Sequence, residues 1–257
     1  MCNSLKEEIN KLNNDIENKN IVNPNKLTIL PLIQNRFINN QCSEEKINRL
    51  LELNSECIKK LKFYEINDFL NETTNIEEYL SKFTDIIINI LPENSDLQSI
   101  NFLLYEILIN IYKHSKFKNA YIQINTSNNS QNIELCIIDD GIGISGSFND
   151  ASIDYENDCE AIFEAVNGKT TDKEKYKLHG RGLNSSARVT TLGFNGEMLI
   201  ASGTGICLIN SEGIQTCKNK YKINGTFIIL KIVNKKIDNI YDYLKYEKIN
   251  KIEGVEK

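Results

Sequence analysis

The sequence predicts an α+β protein: a two-layer α/β sandwich in which helices cover one face of a mixed, mainly antiparallel sheet, preceded by a mostly helical N-terminal segment. Three observations carry this. The run "NFLLYEILINIYKHS" repeats apolar residues at helical spacing, and "AYIQINT" and "IELCIID" are strands joined by the polar turn "SNNSQN" as a hairpin. After the helix "LNSSARVTTL" come four more β segments, "GEMLIAS", "GICLINS", "GIQTCK" and "GTFIILKIV".

Taken in order, Leu5, Ile9, Leu12 and Ile16 sit at helical spacing among charges and predict an amphipathic N-terminal helix. "KLTILPLI" follows as a short strand broken by Pro31, and Ser43, Glu44 and Glu45 open a helix carrying Ile47, Leu50, Leu51, Ile58 and Leu61. A further helix is expected from about Ile76 to Leu91, ended by Pro92. In "SDLQ", Ser95 can cap the next helix while Gln98 reaches back, and that helix is expected to run to about Ser115. From Ser145 to His179 the chain is polar and irregular with one helical piece near Glu160 to Val166, a connection of the length that lids and binding loops have. The division expected is a helical region over 1–94, a domain over 95–235 and a partly helical tail over 236–257.

Composition narrows the function. With 257 residues and 40% hydrophobic content the chain can bury a real core, and no apolar run is long enough to span a bilayer. A polar, charged N-terminus argues against export, so the cytoplasm is the expected compartment. Seven cysteines without a CxxC pair are expected to be reduced thiols. A net charge of −5 argues against nucleic acid as a direct ligand, and two histidines in total argue against a multi-histidine metal site.

Three stretches carry candidate chemistry. On the long helix Glu106, Asn110 and His114 recur every four residues and form one polar stripe. Such a stripe is either a solvated face or a site in which Glu106 orients a water and the Asn110 oxygen ligates a hard divalent ion. In "CIIDDGIGISG", Gly141, Gly143 and Gly146 match GxGxxG after a strand. A dinucleotide needs a helix directly after these glycines, and "SFNDASIDYENDC" carries no helical apolar period. Asp139 and Asp140 would also repel a diphosphate, and the spacing of acids is not that of a calcium loop. What remains is a strand-end aspartate that accepts a hydrogen bond from an exocyclic amine of a base lying on bare glycine backbone. The third stretch, "HGRGLNSSARV", puts Gly180, Arg181 and Gly182 before a helix whose freed amides can receive phosphate oxygens, with Lys169, Lys173, Lys175 and Lys177 upstream.

In this order the stretches resemble the GHKL superfamily of gyrase, heat-shock chaperone, histidine kinase and MutL ATPases. "EILINIYKHS" resembles its N box, "DDGIGI" its first glycine box, "GRGL" its second and "GTFIIL", with Gly225 and Thr226, its third, over about residues 95 to 232. The resemblance implies a Bergerat-type ATP-binding sandwich in which adenine bonds to Asp139 and Mg²⁺ sits on Asn110. It further implies that Gly141 and Gly143 shape the base pocket, that Gly180 and Gly182 flank the lid's return, and that Thr226 supports Asp139. Lys113 and His114 match the pair that lies near phosphate in kinases, and Glu106 matches the glutamate that activates water in hydrolysing members.

Two departures bear on activity. No histidine precedes His114, so autophosphorylation of the sensor-kinase kind is excluded for this chain alone. The sequence runs only a short way past the third box, so a transducer domain like that of gyrase and MutL is not expected. The expected function is Mg·ATP binding with slow hydrolysis as a conformational switch, acting on a protein partner or through a homodimer. A protein kinase of the anti-sigma-factor type, or one acting on a histidine of a separate protein, is the alternative, and a non-catalytic adapter with a vestigial site is the second.

Overall fold

The computed structural model describes residues 58–61, 76–89, 91–118, 120–126, 131–171 and 182–252. The helix expected over residues 1–20 and the strand expected at "KLTILPLI" lie outside them. The elements, in chain order, are strand β1 (Ile58–Leu61), helices α1 (Ile76–Ile88) and α2 (Leu97–His114), and strands β2 (Ala120–Thr126) and β3 (Asn132–Asp139). Next come α3 (Gly143–Asp150), α4 (Asp158–Val166) and α5 (Gly182–Arg188), which runs on as a π-helical turn, Val189–Gly193. Strands β4 (Glu197–Asn210) and β5 (Gly213–Val233) and the short helix α6 (Tyr241–Leu244) complete the set.

The strands form one sheet in the order β1-β2-β3-β5-β4, with every neighbour antiparallel. A lone parallel bridge ties Ile214 to Lys251. Residues alternate between faces along a strand. One face therefore collects Ile133, Leu135 and Ile137 of β3 with Ile228, Leu230 and Ile232 of β5 and Met198 and Ile200 of β4. Against it lies the apolar side of α2, including Leu103, Leu104, Ile107 and Ile111, in one cluster to which α1, α4 and α5 also contribute. Each such side chain, fully buried, contributes roughly 1.5–3 kcal/mol. The opposite face is apolar and buried at its centre too, at Cys136, Ile138, Leu199, Ala201, Phe227 and Ile229. Burial first, and the charge of Glu134 second, push the Cys136 thiol well above its ordinary range, so it stays protonated.

Four expectations need correction. Ile58 and Leu61 belong to the edge strand β1, paired with Gln123 and Ala120, and not to a helix. Their spacing of three is helical, and pairing with the edge of β2 overrides it. The cap of α2 is Asp96, whose carboxylate accepts from the Ser99 N–H at 3.1 Å, and not Ser95. A helix, α3, does follow the glycines of "DDGIGI" although its own sequence, GISGSFND, has little helical preference. Tertiary contacts hold it: its Phe148 is buried, and Ser202 Oγ accepts its Ile144 N–H at 3.0 Å. Finally, the four late β segments are two long strands. Gly203 and Gly225, with φ of 59° and 78°, let β4 and β5 shift register and bend where side-chain residues would interrupt them.

Asp96 also accepts the Ile237 N–H at 2.8 Å, and Asn234 Nδ2 donates to Asn94 Oδ1 at 3.2 Å. The start of α2 and the end of β5 are thus stitched together.

Candidate functional site

The C-terminal half of α2, the end of β3, α3 and the start of α5 surround a cavity of about 120 Å³. From α2 come Asn110 and His114, which lie on one side of the helix because they are four residues apart. Asp139 contributes from the last position of β3, and Thr226, its cross-strand partner on β5, lines the cavity beside it. Gly143, Ile144 and Phe148 come from α3, and Gly182 and Leu183 from α5. Lys169, Thr170 and Thr171 close another side.

Asp139 is only 1% exposed, which for a carboxylate demands hydrogen bonds. Its Oδ1 accepts the Gly141 N–H at 2.9 Å, and the nearby Thr226 backbone and Ser115 hydroxyl also favour the charged form. Burial outweighs them and, with the neighbouring charge of Asp140, pushes the carboxyl up from 3.8 to about 7. Glycine is required around it. A Cβ on Gly141 would stand 2.1 Å from the Ser115 carbonyl oxygen and 2.8 Å from Asp139 Oδ1, and one on Gly225 would stand 1.9 Å from the Asp139 carbonyl oxygen.

The stripe on α2 meets α5 closely. A Cβ on Gly182 would approach Glu106 Oε2 to 2.7 Å and Asn110 Nδ2 to 2.9 Å, so the second glycine turn lies directly against both side chains. Glu106 sits beside the cavity and not among its lining residues. His114 Nδ1 is 2.9 Å from Thr171 Oγ1. Lys113 is exposed and is not among the residues lining the cavity. Gly180, Arg181, Lys173, Lys175 and Lys177 lie outside the described residues.

Several supporting groups carry no sequence signal. Ser202 Oγ, buried, accepts from the Ile144 N–H and donates to the Gly225 carbonyl at 2.9 Å, pinning two glycine turns to each other. Asp158, at the start of α4, accepts from Ser145 Oγ at 2.5 Å and from the Thr204 N–H and hydroxyl at 2.7 and 2.8 Å. Burial acts to raise its carboxyl, but those bonds, helped by the charge of Lys222, hold it below the ordinary value. Each partner is distant in sequence from the residue it serves, so only the phrase "GEMLIASGTG" after the second glycine pair hinted at them.

A helix layer on an antiparallel sheet, with a strand-end carboxylate facing an amide-bearing helix across glycine turns, defines an α+β sandwich of the GHKL type. Residues 95–232 match the family of histidine kinase-, DNA gyrase B- and HSP90-like ATPases. That match spans more than half of the chain, and the protein belongs to this family, whose domain is of an ATP-binding type. A comparison with curated proteins returned no match. Among the described residues no helix is long and apolar enough to cross a membrane.

Proposed function

We propose that the protein binds Mg·ATP in this cavity and uses binding, with slow hydrolysis, as a conformational switch acting on a protein partner or a second copy of the chain. The observation that carries it is Asp139: a buried carboxylate lining the cavity, flanked by glycine backbone. An amine-bearing base offers the hydrogen-bond donor that would favour its charged form, and a base lacking that donor would leave the carboxylate poorly satisfied. Gly141 and Gly143 leave the base room, and Thr226 supports the carboxylate.

The donor set fits a nucleotide-borne cation. Asn110 supplies one hard oxygen beside Glu106, and among the described residues no cluster of three histidine, cysteine or acidic side chains could hold an ion unaided. Asn110 would hold Mg²⁺, with phosphate oxygens completing the shell, and the ion would supply charge neutralisation there. Glu106 then acts as the base that orients water, while Gly180, Arg181, Gly182, Lys113 and His114 are assigned to the phosphate end. The domain proposed over 95–235 borrows β1 from the preceding region and contacts from the following tail. A soluble ATP-dependent switch of this kind is assigned to the cytoplasm.

The test is calorimetric titration with ATP and with GTP, with and without Mg²⁺. Magnesium-dependent ATP binding with GTP at least tenfold weaker is expected; equal affinity for the two would remove Asp139 as the reader of the base.

A further inference from the structure

Residues 243–249 run past the cavity without lining it, yet they bind the ends of two of its walls. The first end is Asn167, which ends α4 two residues before the lining residue Lys169. Asn167 Nδ2 donates to the Ile249 carbonyl at 3.2 Å, and the Ile249 N–H donates to Asn167 Oδ1 at 2.8 Å, a two-point clasp. Tyr246 Oη donates to the Asn167 carbonyl at 3.1 Å. The second end is α5, whose Gly182 and Leu183 line the cavity. Buried Asn184, next along, donates through Nδ2 to the Glu247 carbonyl at 3.1 Å. One turn on, Arg188 donates to the Tyr243 carbonyl at 3.3 Å and pairs with the Glu247 carboxylate. Beyond Ile249 the strap is anchored in turn: Ile214 N–H donates to the Asn250 carbonyl at 2.9 Å, and Ile252 N–H donates back to Ile214 at 2.8 Å.

We propose that residues 243–249 are a strap that positions two walls of the nucleotide site at once, making Asn167 and Asn184 positioning residues for nucleotide binding although neither lines the cavity. The inference rests on ATP occupying that cavity. The choice of residue supports it: a carboxamide both donates and accepts, so Asn167 can grip both backbone groups of Ile249, which an ionised aspartate, having no donor, or an alanine cannot. Bonds of this sort, shared by one segment, couple the walls: displacing either one strains the clasp on the other. Linkage then runs both ways. If the strap sets affinity, the nucleotide must in turn steady the strap, though it touches none of it.

The experiment is hydrogen exchange on the full chain with and without Mg·ATP, together with ATP titration of Asn167→Ala and Tyr246→Phe. Mg·ATP is expected to slow exchange of the Ile249 amide severalfold. Asn167→Ala, which loses the clasp, is expected to weaken ATP binding by about tenfold, and Tyr246→Phe, which loses one bond, by about threefold. Wild-type protein that binds Mg·ATP with unchanged exchange over residues 243–252 would overturn the strap and leave the nucleotide site standing. Absence of any ATP binding by the wild type would overturn the site, and the strap's role with it. Should Asn167→Ala fail to fold, the wild-type exchange result decides alone.

Discussion

Replacing Asp139 by asparagine should strengthen the fold at pH 8 while removing the nucleotide. The folded carboxyl titrates near 7 and the ordinary value is 3.8, a gap of about three units. At about 1.4 kcal/mol per unit, this corresponds to an upper bound of about 4 kcal/mol. The sign follows from proton counting. Between pH about 4 and 7 the folded chain keeps a proton that the unfolded chain has released, so stability from this group is greatest below that window and falls as pH rises through it. Above 7 the whole cost of burying the charge is felt. Asparagine carries no charge, keeps an oxygen for the Gly141 N–H and turns an NH₂ toward donors, which costs about 1–2 kcal/mol. The net gain expected at pH 8 is about 1–3 kcal/mol. Urea unfolding of both proteins at pH 6 and pH 8 measures it, and calorimetry with ATP at pH 8 measures the loss of binding. A variant less stable than wild type at pH 8, or one that keeps the wild-type slope of stability with pH, would refute the reasoning.

Four further outcomes are expected. ATP binding needs the charged carboxylate, so affinity should fall by about tenfold per pH unit below about 7 and level off above it, with proton release on binding near pH 6, measurable in buffers of different ionisation heat. Glu106→Ala should keep ATP affinity within about threefold and lose turnover by at least a hundredfold in a phosphate-release assay; undiminished turnover would show that another group serves as base. In Gly182→Ala the new methyl displaces the Glu106 and Asn110 side-chain tips, so the magnesium dependence of ATP binding should weaken with little change in urea midpoint. Gly225→Ala combines a φ of 78° with a 1.9 Å collision against the Asp139 carbonyl oxygen and should cost at least about 2 kcal/mol of stability in the same unfolding assay.

What could be read from sequence were groups whose signal is local. The α2 stripe announces itself by fours, and Asp139 by its place at the end of an apolar strand before two spaced glycines. Thr226 and Gly225 stand together in one short phrase. Where the deciding contact is remote, the sequence misleads. GISGSFND becomes helical because Ser202, 58 residues on from Ile144, and Asp158, 13 residues on from Ser145, satisfy its start and its Ser145. Ile58 and Leu61 become strand because β2 offers an edge. The glycines that looked like strand ends are bends inside longer strands, a difference that only the pairing register reveals. Nothing local marks Asn167 or Asn184, whose partners lie 82 and 63 residues away.

The seam at Asp96 makes the family domain a cassette with both of its ends at one corner. One carboxylate caps α2 and holds the Ile237 N–H, so the residues just before α2 and those just after β5 meet at one corner of the domain. From that corner α2 runs without interruption to Asn110, a lever of about 21 Å at 1.5 Å per residue. Between that seam and the Glu106 and Asn110 tips lies one continuous helix and no other element.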